Sequence, residues 1–353
     1  MLIVTSAGEV TEERQYKDLD ACLQRMKTEL HSVMAQRNRA WNLKSPLYRL
    51  PPEILVEILS LALPGVLPSP RIYMRGLQWF AFVSHQWRLY VNGTPSFWKV
   101  APSEMSLELL QRVLSRSTGL LDVFDSYNRI STNTFVDHVV GHVHRWWSLT
   151  ISRNGAREWF ECLVHLPMPA MEALDLQGTS DTAIVIGEVE SLRSVRLVGF
   201  CIPWGSKILS GLQSLKLETL GMNSPSTTQL LTILAASPGL VELGFVCLEH
   251  RYRDSSDTQT MRVELLMLET LRITSIPQEV THPLLAALHI PKCTSFNIDY
   301  KQRAVAGLSL FDEPTLAHIA SSLVAFLRSS TGVLSAGGSP YQRRRERFGS
   351  NLT

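Results

Sequence analysis

The sequence is short of most things that announce a chemistry. Its 353 residues contain five cysteines, Cys22, Cys162, Cys201, Cys247 and Cys293, scattered and without any CxxC pair. An odd, dispersed set argues against a disulfide framework or a zinc ribbon and fits a reducing compartment. No apolar run approaches the ~18 residues of a membrane-crossing helix. The first ten residues, MLIVTSAGEV, lack the basic lead and long apolar stretch of a secretory signal. The net charge is only +2, so nothing draws the whole chain to nucleic acid or an anionic membrane. The phosphate-cradling GxGxxG and GxxxxGK[ST] patterns, the zinc-binding HExxH and the nucleophile-bearing GxSxG are all missing. No catalytic residue, metal ligand or cofactor is therefore assigned.

Three weaker signals are present. His138 and His142 in DHVVGHVHRWW are spaced i, i+4, which would put two imidazoles on one helical face, but Gly141 interrupts the helix and His144 points elsewhere. RRRER at 343–347 has the composition of a nuclear-import patch or of a solvated tail. NGT at 92–94 matches a glycosylation sequon but is followed by Pro95.

What is present is apolar pattern, 45% of the residues against 19% charged, enough to build a core. Residues 11–44 are expected to form one helix. Tyr16, Leu19, Leu23, Met26, Leu30 and Val33 fall on a heptad seam. Such a seam serves either self-association through 16–33 or packing on the chain's own domain, and periodicity alone does not choose.

After Ala101 the texture changes. LELLQRVLS at 107–115 has the pattern of an amphipathic helix. Seven runs of the form apolar-x-x-apolar-x-apolar then follow: WWSLTI (146–151), MEALDL (171–176), LRSVRL (192–197), LQSLKL (212–217), LVELGF (240–245), LETLRI (268–273) and LAALHI (285–290). Their starts lie 25, 21, 20, 28, 28 and 17 residues apart. That spacing clusters around the 20–29 residues of a leucine-rich repeat, one strand plus one helix or turn. Pro169, Pro238 and Pro283 stand two residues before three of the runs, where proline would end a helix and begin a strand. Residues 226–236 are expected to be a helix before a Pro-Gly break. The expected architecture over 101–330 is an irregular α/β solenoid of leucine-rich repeats; the alternative is a compact α/β domain with unrelated parallel strands. A helix over 312–330 would cap its end, and the Gly/Ser/Arg-rich 331–353 has the composition of a disordered tail.

Between these parts lies SPLYRLPPEILVEILSLALP, residues 45–64. On a helical wheel Ile54, Leu55, Val56, Ile58, Leu59, Ala62 and Leu63 spread over roughly 200°, twice the ~100° stripe of a surface helix. Glu53, Glu57 and Ser60 occupy the rest. Such a helix needs cover on two sides: one is its own small domain, and the second is either more of the same chain or another protein.

LPPEILVEILSLAL resembles the first half of an F-box. FVSHQWRLYV (82–91) is similar to that family's Val-Ser-x-x-Trp-Arg segment, and TPSFWKV (94–100) to its terminal stretch ending on Trp. Leu50 to Trp98 spans 49 residues, close to the length of that domain. The departure is the long, proline-rich PGVLPSPRIYMRGLQ (64–78) between the halves. A heptad helix before the box and leucine-rich material after it resembles a fungal group of F-box-like proteins. The resemblance implies a mainly α N-terminal part, with a three-helix F-box-like unit over 45–100. It also implies a non-catalytic role: docking on a Skp-type adaptor within a cullin–RING ubiquitin ligase, while the repeats capture a protein substrate. The adaptor surface it implies is Leu50, Pro51, Ile54, Leu55, Ile58, Leu59, Val83 and Trp87; the alternative is that most of these only fill the unit's own core, with Val83 and Trp98 expected to be partly or wholly core and Pro51, Ile54 and Leu55 the main contacts. Substrate would meet outward-facing positions of the runs: Asp175, Gln177, Arg196, Lys216, Glu218, Glu242, Arg272 and His289. Their mixed signs suit a polar protein surface rather than nucleic acid, and equally suit ordinary solvated positions. The location implied is cytoplasmic, nuclear or both. The alternative role is a structural scaffold that self-associates through the N-terminal helix.

Overall fold

The computed structural model describes residues 6–63, 69–126, 132–152, 157–178, 183–187, 189–248 and 261–300. The expected helix at 312–330 and the tail at 331–353 lie outside the described residues. The chain divides into two compact units, Met1–Pro64 with Gly76–Thr94, and Gly65–Arg75 with Pro95–Thr353.

Four helices begin the chain: α1 (Ser6–Asn42), α2 (Pro52–Ala62), α3 (Pro70–Val83) and α4 (His85–Gly93). Proline opens both α2 and α3, where its missing N–H costs no helical hydrogen bond. Ser84 caps α4, its hydroxyl accepting from the Trp87 backbone N–H at 3.2 Å. The proline-rich 64–78 is thus not a plain connection, because α3 starts at Pro70. Its Tyr73 belongs to the second unit and donates its hydroxyl to the Phe97 carbonyl at 3.1 Å. Phe97 and Trp98 are buried in that unit too, with the Arg116 guanidinium over the Trp98 ring. The stretch 45–100 is therefore shared between two units, and TPSFWKV leads into the sheet.

The second unit continues β1 (Val100–Pro102), α5 (Leu107–Arg116), β2 (Leu121–Asp125), α6 (Thr132–Val140), β3 (Trp146–Ser152), α7 (Arg157–Leu163), β4 (Ala173–Gln177), β5 (Ser194–Val198) and β6 (Ser214–Glu218). Then come α8 (Thr227–Ala235), β7 (Glu242–Val246), β8 (Val263–Glu264), β9 (Thr270–Ile276), α9 (Gln278–Ala287), β10 (Leu288–His289) and β11 (Ser295–Tyr300). Among the described residues nine strands form one sheet in the order β1-β2-β3-β4-β5-β6-β7-β9-β11, every pair parallel. Neighbours in the sheet follow chain order, with only the short β8–β10 pair set apart.

The register aligns the apolar runs position by position. Leu149, Leu174, Val195, Leu215, Leu243 and Leu271 form one row, and Ile151, Leu176, Leu197, Leu217, Phe245 and Ile273 another, all buried. The backbone repeats as well. The N–H groups of Arg193 and Ser194 both donate to the Glu172 carbonyl; those of Gln213 and Ser214 to Arg193; Val241 and Glu242 to Gln213; Glu269 and Thr270 to Val241; Thr294 and Ser295 to Glu269. At the C-terminal ends of β5, β6, β7 and β9 the backbone passes through a left-handed residue: Gly199 (φ 69°), Thr219 (50°), Cys247 (51°) and Ser275 (57°), the last still within β9. Three of these are not glycine, so they carry strain that the surrounding ladder holds in place. Each is followed by a buried apolar residue, Phe200, Leu220, Leu248 and Ile276.

One expected run fails. LAALHI is not a sheet strand: its first residues belong to α9, which contains Pro283, and Leu288–His289 pair only with β8. The in-phase strand is CTSFNI at 293–298, where Phe296 aligns with Leu271 and Ile298 with Ile273. Apolar residues three and four apart satisfy a helix as well as that strand pattern, so the run was ambiguous. At the other end, β1 and β2 extend the sheet beyond the expected first strand.

Candidate interaction surfaces

The helical unit exposes apolar side chains on several elements. On α2, Leu55 and Leu59 are 3% and 1% exposed and form core, whereas Ile54 and Ile58 are 49% and 40% exposed. One face of a single helix is thus packed and the adjoining one bare. Leu55, expected among the main contacts, and Leu59, expected on the same surface, are both buried. Val83, expected to be partly core, is exposed, and so is Pro51; Leu50 and Trp87 are half-buried. Trp87 meets Phe80 edge to face, ring centroids 5.9 Å apart. The motif search missed Leu61, Trp79, Phe82 and Leu89, all exposed on the same three helices. Trp79, Phe82 and Val83 are spaced i, i+3, i+4, which places them on one face of α3 and was a signal available in the sequence. On α1 the whole seam is exposed, from Tyr16 through Leu19, Leu23, Met26 and Leu30 to Val33.

The sheet offers the opposite kind of surface. Residues alternating with the buried rows line a concavity of about 1200 Å³ that runs across the strands from Lys99 and Asp122 to Asn297. Period-two alternation puts them there. Asp175, Arg196, Lys216, Gly244, Arg272 and Asn297 form one aligned row, and Gln177, Glu218 and Thr274 stand in the next. Seven of the eight outward positions expected from sequence therefore share this face. His289 does not: it sits on β10, outside the main sheet.

Most charges on this face pair with one another. Arg196 reaches Glu218 at 3.0 Å and Asp175 at 3.5 Å, and Lys216 reaches Glu242 at 2.7 Å. Gln177 donates to both Asp175 oxygens at 3.1 and 3.0 Å, and Ser214 to Glu242 at 3.1 Å. Burial pushes the Asp175 carboxyl above its usual range, against the Gln177 hydrogen bonds and the Arg196 charge. The hydrogen bond to Glu218 holds the Arg196 guanidinium above its ordinary value. At the β2 end, Asp122 is buried and accepts from Ser148 at 2.6 Å. Burial raises its pKa, opposed by that hydrogen bond and by Lys99. Burial, then the Asp122 charge, raises the nearby Tyr73 phenol.

The histidine cluster does not assemble. His138 lies in α6 and its Nδ1 is 2.7 Å from the Thr134 carbonyl, while His142 falls beyond that helix beside Arg145. Burial, then the charges of Arg145 and His144, lowers the His142 pKa. Among the described residues no group of three or more His, Cys, Asp and Glu could hold a metal ion, and no helix is long and apolar enough to cross a membrane. No known family model matches the chain, and no curated protein matches it.

Proposed function

We propose that this chain is a substrate-receptor subunit of a cullin–RING ubiquitin ligase of the SCF type, working in the cytoplasm, the nucleus or both. It docks a Skp-type adaptor through its F-box-like helices and holds a protein substrate against the sheet, doing no bond chemistry itself. One observation carries the proposal: α2 splits into a packed side, Leu55 and Leu59, and a bare side, Ile54 and Ile58. Uncovered apolar side chains on adjacent helices are the mark of a docking surface. They sit in the segments that resemble an F-box, with exposed Val83, Trp79 and Phe82 on α3 adding area.

The leucine-rich-repeat reading of the second unit is supported by strand order and by the recurring left-handed turn. A doubly wound sheet would reverse its order and bury both faces. Here the order runs one way, and one face is polar and open, as in a stacked solenoid.

The test is co-purification of the full chain with a Skp-type adaptor. Wild type should retain it, and an Ile54→Asp/Ile58→Asp variant should not. Failure of the folded wild type to retain the adaptor would remove the ligase assignment. A scaffold role has its own supporting observation, the α1 seam exposed from Tyr16 to Val33. It predicts a concentration-dependent dimer by sedimentation that Leu23→Asp abolishes, with no adaptor bound.

A further inference from the structure

The charges on the sheet face do not all cancel. Arg196, Asp175 and Glu218 form one group and Lys216 with Glu242 another. Arg272 is exposed and, among the described residues, makes no ion pair or hydrogen bond. Its neighbour in the aligned row is Gly244, whose other neighbour is Lys216. One side chain is thus missing between two cations. Strands lie about 4.8 Å apart, so the Lys216 and Arg272 backbones stand roughly 10 Å from each other across Gly244, toward which the Lys216 side chain leans on its way to Glu242. Thr270 and Asn297 flank Arg272, one two residues along the same strand and the other across from it on β11. All five residues line the 1200 Å³ concavity.

The geometry points to a carboxylate-binding notch over Gly244, in which Arg272 anchors an Asp or Glu side chain of an extended segment of the captured protein. This deepens the receptor reading and rests on it. The local charge decides the class of ligand. A guanidinium with no internal partner pairs bidentately with one carboxylate. A nucleic acid backbone would need a stripe of free cations, and Arg196 and Lys216 in this row are already paired with Glu218 and Glu242. The concavity exceeds the ~300–1,000 Å³ of a small-molecule pocket, which suits a peptide with several side chains. Gly244 is required for access rather than for backbone shape: a Cβ there would meet nothing nearer than Lys216 Cγ at 3.4 Å. A Cβ is therefore accommodated, and a larger side chain would occupy the notch.

The test is selection of displayed random peptides of about a dozen residues on the full-length protein, followed by fluorescence polarisation with a selected peptide. Wild type should enrich Asp or Glu at one position, and the Asp→Asn or Glu→Gln analogue should bind at least tenfold more weakly. Arg272→Glu should lose the peptide by at least tenfold and select Lys or Arg at that position instead. Gly244→Leu, which keeps the charge, should also lose it tenfold. Both variants should keep the wild-type melting temperature. Absence of any selected peptide, selection without a carboxylate, or equal binding by Arg272→Glu would overturn the notch. Adaptor retention is read in parallel. Wild type that selects acidic peptides but retains no adaptor removes the ligase assignment alone, and the reverse removes only the notch.

Discussion

The sheet unit hides its apolar pattern and the helical unit displays it. In the sheet, Leu197 and Leu217 are completely buried, while in α1 the equally periodic Tyr16 is 75% exposed. Sequence pattern is just as regular in both. The difference lies in what covers each face: the chain supplies the cover for its strands, whereas the described residues of α1 and half of α2 find none. Periodicity identifies a face that is to be buried, but not the molecule that buries it.

The contrast can be broken or sharpened by mutation. The largest effect is expected in the sheet: Leu217→Ala should cost about 2–5 kcal/mol, measured by urea unfolding, because its neighbours cannot close the cavity. Leu23→Ala on α1 should change the stability of the isolated monomer by no more than about 0.5 kcal/mol. An equal loss at both positions would erase the distinction. Within the polar face a smaller contrast is expected. Arg196→Ala should cost about 1 kcal/mol by removing the partner of two carboxylates, and Arg272→Ala about 0.5 kcal/mol or less.

Asp122 and Asp175 give a pH-dependent version of the same comparison. Their folded pKa values are raised, so the native state binds protons more readily than the unfolded chain. Stability then falls as pH rises from the ordinary carboxylate range through the raised values. Asp122→Asn should flatten that decline and raise Tm at pH 7 by about 2 °C, leaving Tm at pH 3 unchanged. A steeper decline in the variant would contradict the assignment. The last comparison concerns the repeated turn. Thr219→Gly should gain about 0.5 kcal/mol, since relief of left-handed strain exceeds the added chain entropy. Gly199→Ala at the equivalent position should lose about 1 kcal/mol.

Much of the sheet was legible because its strands repeat. Six of the seven expected runs carry strands of the sheet, and seven of eight outward residues share its face. The run at 293–298 escaped notice because its first apolar position is Cys293 and its outward residues include Asn297. The left-handed turn was hidden because Gly199, Thr219, Cys247 and Ser275 have no chemistry in common; the ladder, not the side chain, imposes the conformation. On α2 the wheel showed too much apolar arc but could not divide it, since Leu55 and Ile54 are equally apolar and only packing separates them. Helix α3 was obscured by Pro68 and Pro70, which mark a break and a helix start with the same residue.

The central claim is that the bare side of α2 is a docking surface for an adaptor and the packed side is core. It is tested most directly by comparing Ile58→Asp with Leu59→Ala, adjacent residues on one helix. Each variant's dissociation constant for a purified Skp-type adaptor is measured alongside its melting temperature. The account predicts that Ile58→Asp weakens adaptor binding at least a hundredfold with Tm within about 2 °C of wild type, while Leu59→Ala lowers Tm by several degrees and, below its transition, binds within about threefold of wild type. Undiminished binding by folded Ile58→Asp, or no binding by wild type, would contradict it.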